Sequence, residues 1–133
     1  IIRKQQHMSM ISFESSGSFQ NTENFFKRMA KQDISSMLNR FGAAGVTALS
    51  ANTPKNSGLT AASWGYRVKK KRKGWTVEWY NTNTIDDVEV AVLIQYGHGT
   101  GTGGYVPGYD YINPTMQPIF DAIIADIWKE VQK

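Results

Sequence analysis

The chain has 133 residues, a net charge of +4 and a sequence pI of about 9.4, with 41% apolar and 20% charged residues. That is the length and balance of one ordinary globular domain, and it excludes disorder along the whole chain. The absence of cysteine excludes disulfide frameworks, thiolate metal sites and cysteine nucleophiles. No apolar run approaches the roughly 18 residues of a membrane span; Val90 to Ile94 is the longest candidate. The basic, amide-rich start offers no apolar segment of the kind a secretory signal needs.

Residues 1–9 read as an extension or expression scar, with Met8 and Met10 both plausible initiators, and residues 10–133 as a single domain. Met10 to Glu14 alternates weakly, as a short strand does. Ser15 to Gln20 is a polar link. Asn21 and Thr22 are good N-cap residues for a short helix carrying Phe25, Phe26 and Met29. Asp33 is a second N-cap candidate. Ile34, Met37, Leu38, Phe41 and Gly45 then recur at helical spacing, predicting a helix over 34–51 that Asn52-Thr53-Pro54 ends. Its small centre, Gly42 to Gly45, lets another element approach closely, at a cost of about 1 kcal/mol of helix propensity per interior glycine.

The period then changes. Trp64, Tyr66 and Val68 alternate with Gly65 and Arg67. Trp75, Val77 and Trp79 alternate with Thr76, Glu78 and Tyr80. This predicts two half-buried strands of a hairpin, with the basic run Lys69 to Lys73 and Gly74 at its tip. Asn81 to Asp87 reads as a polar loop, and Val88 to Tyr96 fits strand or helix. Gly97 to Gly104, with five glycines in eight residues, reads as a loop without structure of its own. Tyr105 to Ile112 has room for a short strand. Asn113 and Pro114 then mark a helix start, followed by an apolar stripe of Met116, Ile119, Phe120, Ile123, Ile124, Ile127, Trp128 and Val131. The expected architecture is α+β: an antiparallel sheet with a central hairpin, packed against a long helix from the N-terminal half and a C-terminal amphipathic helix.

The motifs favour binding over chemistry. Gly99 to Gly104 matches the dinucleotide pattern G-x-G-x-x-G, but Pro107 and Pro114 follow where a helix should open, so no cofactor is expected. His98 lacks companions for a metal site, and no spacing links it to Ser63 and Asp110 as a triad. The expectation is therefore no enzyme, no metal and no cofactor. Asp86, Asp87 and Glu89 form an acidic cluster with two readings: solvated in a polar loop, or a cation contact at an interface. Arg67, Lys69, Lys70, Lys71, Arg72 and Lys73 form a basic stretch with three readings: a solvated tip, contact with an acidic protein surface, or contact with a nucleic-acid backbone. The alternation of Trp64, Tyr66, Trp75 and Trp79 places these rings on a core face rather than in a base-stacking platform.

Two segments carry a resemblance. Thr53-Pro54-Lys55-Asn56-Ser57-Gly58-Leu59-Thr60-Ala61-Ala62-Ser63-Trp64 resembles the T-P-x-D-T-G-x-L-x-x-S-W/I stretch of the tail-completion or head–tail joining proteins of tailed phages. Val90 to Thr100 is similar to that family's Y-A-x-x-v-E-Y-G-T-G signature, with Gln95 standing for the usual Glu and Asn56-Ser57 for Asp-Thr. The segment Gly104 to Pro114 resembles a variant from phages and prophages of Gram-positive bacteria. The likeness spans residues 34–133 and departs from the common pattern around Asp86-Asp87.

It implies a ring-forming structural adaptor at the head–tail junction, often hexameric, in the virion neck after assembly in the host cytoplasm. The implied partners are other copies of the chain, the tail-tube protein and head connector or stopper proteins, with no membrane. DNA enters only as the molecule passing through the lumen. Partner-binding candidates are the basic stretch, Asp86, Asp87, and the loop residues His98, Gly99, Gly101, Gly103 and Tyr105. The alternative is a small basic nucleic-acid-binding module.

Overall fold

The computed structural model describes residues 2–3, 11–14, 34–54, 58–72 and 74–131, with backbone alone for 2, 3, 12–14, 130 and 131. The fold is α+β, as expected. The elements are β1 (Ile2–Arg3), β2 (Ile11–Glu14), α1 (Ser35–Asn52), a single turn α2 (Gly58–Ala61), β3 (Trp64–Lys71) and β4 (Gly74–Asn81). They are followed by β5 (Thr84–Ile85), β6 (Val88–Glu89), α3 (Val90–Tyr96), β7 (Gly97–Gly99), β8 (Tyr105–Pro107) and α4 (Ile112–Val131). The expected link and short helix of residues 15–32, and the cap at Asp33, lie outside the described residues.

A four-stranded antiparallel sheet runs in the order β1-β2-β4-β3. It takes in Ile2–Arg3, which the sequence reading set aside. β4 therefore has a neighbour on each side, and it is buried on both faces rather than half-buried. Trp75, Val77 and Trp79 enter the core, while Thr76 and Glu78 are buried on the other face. Glu78 is tolerated there because Arg67 Nε donates to its carboxylate at 2.6 Å and Lys69 Nζ lies 3.4 Å away. A buried carboxylate without such partners would cost several kcal/mol.

Helix α1 packs on β3, β4 and α4. Its two interior glycines make the approach possible. A Cβ at Gly42 would strike the Tyr66 ring, and one at Gly45 the Trp79 indole. Trp79 is fully buried, donates from Nε1 to the Gly42 carbonyl at 3.0 Å, and meets Phe120 of α4 edge-on at 5.9 Å between ring centres. The propensity lost at two glycines, about 1 kcal/mol each, is offset by burial of an indole that contributes about 3 kcal/mol or more. Leu38 and Leu49 of α1 and Met116, Phe120, Ile123 and Ile127 of α4 complete the cluster.

Two boundaries and one burial differ from expectation. Helix α1 starts one residue later, with Ile34 before it and no side-chain cap. Helix α4 begins at Ile112, so Asn113 lies within its first turn, and the Asn113 side chain bonds Asp110 instead of capping. Trp128, placed on the apolar stripe by its spacing, is 43% exposed. No helix among the described residues is long and apolar enough to cross a membrane.

Candidate functional site

The sequence-predicted site residues fall in three separate places. The basic stretch lies on β3 rather than in a loop. Lys69, Lys70 and Lys71 are strand residues paired with Thr76, Trp75 and Gly74, and Arg72 follows in the turn. The strand continues because Trp75 supplies a cross-strand partner, and Lys70 Nζ sits 5.5 Å from the centre of its ring. Arg67 lies over Tyr80 at 5.0 Å. Lys69, Lys70, Lys71 and Arg72 are all exposed. Lys73 lies outside the described residues. Trp64, Trp75 and Trp79 are buried, as their alternation predicts.

The supposed polar loop around Asp86 is a second hairpin. Thr84 pairs with Glu89 and Ile85 with Val88, so Asp86 and Asp87 form a two-residue turn. Both have positive φ, 51° and 64°, as a type I′ turn requires. Asp tolerates this region better than most residues, but Asn-Gly is the sequence that suits it. The acidic cluster is thereby split. Asp86 and Asp87 are exposed at the tip, beside exposed Ile85 and Val88, whereas Glu89 is buried.

Glu89 belongs to a polar network at the base of this hairpin. Its Oε1 accepts from the Asn81 backbone N–H at 2.8 Å. Asn81 Nδ2 donates to the Thr60 carbonyl at 2.9 Å, and Asn83 Nδ2 donates to Thr60 Oγ1 at 3.0 Å. Burial pushes the Glu89 carboxyl up to about 7, against the opposing pull of the Asn81 N–H. The Tyr111 hydroxyl is raised too, first by burial and then by the negative charge of Glu89. That hydroxyl donates to the Ala91 carbonyl at 3.0 Å. Trp64 Nε1 donates to Thr53 Oγ1 at 3.0 Å, and Thr53 Oγ1 donates to the Leu49 carbonyl at 2.7 Å.

The third place is the glycine-rich segment, which is a hairpin and not an unstructured loop. Gly97, His98 and Gly99 pair with Pro107, Val106 and Tyr105. The turn closes through Thr100 N–H to the Gly104 carbonyl at 3.0 Å and Gly104 N–H to Thr100 Oγ1 at 3.1 Å. Gly99, Gly101 and Gly103 are exposed, and His98 is half-buried with Nδ1 lacking a hydrogen-bond partner. Tyr105, Val106 and Tyr109 are exposed at 65%, 43% and 61%. The base of the hairpin is tight. Gly97 has φ 82°, and a Cβ there would come within 2.6 Å of the Val106 carbonyl.

Gln95 locks this base. Its Oε1 accepts from the N–H groups of Tyr111 and Ile112 at 3.1 and 3.0 Å, and its Nε2 donates to Asp110 at 2.7 Å. One buried amide thus holds α3, the segment after the hairpin and the first turn of α4. The amide is required because its nitrogen faces a carboxylate: a Glu at position 95 would set two negative oxygens against each other.

Beside this node, a shallow groove of about 320 Å³ runs from Asn52 to Pro114 and Pro118 over Tyr109–Tyr111, with Asp110 its only carboxylate among the described residues. No group of three or more metal-ligating side chains occurs among the described residues. Sequence reasoning passed over Ile85, Val88 and Tyr109, and it read Glu89 only as one of an acidic cluster. The signal for Gln95 was its place in the Gln95-Tyr96-Gly97 motif, read there for family likeness rather than for hydrogen bonding. No protein-family model matches the chain, and no significant match to a curated protein or a solved structure was found.

Proposed function

We propose that the chain is a structural adaptor of a phage or prophage neck, which joins head and tail as a ring and performs no catalysis. One observation carries this reading. Both motif segments that resemble tail-completion proteins serve as clamps at the base of an exposed hairpin. Thr60, from the first, holds Asn81 and Asn83 beneath β5–β6. Gln95 and Gly97, from the second, hold the foot of β7–β8. Residues that spend their hydrogen bonds on fixing projecting arms support a role in docking. The arms carry Ile85 and Val88 on one side, and Tyr105, Val106 and Tyr109 on the other, all exposed. Rigid arms lose little entropy on binding.

The test is sizing by light scattering across a concentration series, repeated with equimolar tail-tube protein. A discrete ring, alone or on the tube, supports the reading. A strict monomer that ignores the tube overturns it. The nucleic-acid alternative draws on the exposed row Lys69 to Arg72. With Trp64, Trp75 and Trp79 buried, the row has no stacking ring of the hairpin beside it, and the reading rests on phosphate contacts and predicts affinity that falls steeply with salt.

A further inference from the structure

The charges of this chain are segregated along its length. Thirteen of its fifteen Lys and Arg residues lie at or before residue 73, together with three of its eleven Asp and Glu residues. From residue 74 to residue 128 there is no basic residue at all and there are seven acidic ones. Among the described residues, an exposed basic row and an exposed acidic turn flank β4. The basic row Lys69 to Arg72 approaches the β3–β4 turn, at the first residue of β4. The Asp86-Asp87 turn follows the last residue of β4. β4 is eight residues long, so its ends stand about 23 Å apart at ~3.3 Å per residue. That exceeds the Debye length at physiological salt, about 8 Å, and no ion pair joins the row to the turn among the described residues.

We infer that the row and the turn meet between copies: the Asp86-Asp87 turn of one chain docks against the Lys69–Arg72 row of the next, head to tail. This rests on the ring reading above and names its contact. Two features point to a second copy as the occupant. The two surfaces are opposite in sign and flank the two ends of β4, which is the arrangement a heterologous, repeating contact needs. Asp86 and Asp87 have no ion-pair partner among the described residues, while exposed Ile85 and Val88 give the turn an apolar base. The paired charges set partner, register and rate of association, and the exposed aromatic arm adds apolar area.

The experiment is a charge exchange on the whole chain, read by light scattering with or without tail-tube protein. Lys70→Glu/Arg72→Glu and Asp86→Lys/Asp87→Lys should each raise the concentration needed for assembly at least tenfold. Asp86→Asn/Asp87→Gly, which suits the turn and removes only charge, should do the same without loss of fold. An equimolar mixture of the two reversed variants should assemble again, as rings of alternating copies with an even subunit number. If the wild-type ring forms but no variant disturbs it, or the mixture fails to recover, this contact is wrong and the ring reading stands. If the wild type never assembles, alone or on the tube, both fall.

Discussion

The core and the arms solve opposite problems with the same residue types. In the core, Gly42 and Gly45 remove side chains so that Tyr66 and Trp79 press onto α1 and are hidden. In the β7–β8 arm, Gly97 also removes a side chain for close approach, yet Tyr105, Val106 and Tyr109 remain in water. The Tyr105 hydroxyl donates to the Tyr96 carbonyl at 3.0 Å and the Tyr109 ring lies 6.3 Å from that of Tyr111, yet most of both rings stays in water. Their placement makes sense as contact area awaiting a partner. A glycine beside an aromatic thus marks packing in both regions, and only burial tells whether the packing is internal or prospective.

Substitutions separate the regions, in falling order of effect. Trp79→Ala should cost about 4 kcal/mol, because it leaves a cavity between α1 and α4, and should appear as a large drop in the urea midpoint. Gln95→Leu should cost about 2 kcal/mol by leaving the buried N–H groups of Tyr111 and Ile112 without an acceptor. Gln95→Glu should also destabilise, and Asp110→Asn on that background should restore much of the loss, since the clash is between two carboxylates.

Glu89 supplies a pH dependence. Its carboxyl is raised in the fold to about 7 from the ordinary 4.5, so the folded state holds its proton more tightly than the unfolded chain. The stabilisation is full below about 4.5 and is lost as pH rises through about 7. Urea midpoints should therefore fall between pH 5 and pH 8, and Glu89→Gln should flatten that fall. The smallest effect on stability belongs to the arm. Tyr105→Ser/Val106→Ser should change the unfolding free energy by no more than about 1 kcal/mol, the worth of the Tyr105 bond to the Tyr96 carbonyl, while weakening the assembly on the tail tube that the proposed function requires.

Much of this was legible in the residues. Period 3.6 gave α1 and α4, and period 2 gave β3 and β4, because each pattern is a one-dimensional record of which face meets the core. The small centre at Gly42 to Gly45 was legible as a close approach. The two short hairpins were not. Asp86-Asp87 lacks the glycine that announces a type I′ turn, and Gly97 to Gly104 shows the composition of a loop while its backbone pairs with Tyr105 to Pro107. Two- and three-residue strands are too short for any alternation to register.

By itself the sequence determined the fold class, the long helices, the central hairpin and the uneven charge, all of which follow from local periodicity and composition. The tertiary structure alone decided which polar residues are buried and what they hold: Glu78 beneath Arg67, Glu89 under Asn81, Gln95 across two N–H groups. It also set the basic row and the acidic turn at opposite ends of one strand. The reason is physical. A hydrogen bond between residues sixteen apart, or a charge separation of about 23 Å along a strand at ~3.3 Å per residue, depends on how the chain returns on itself, and spacing along the sequence does not carry that information.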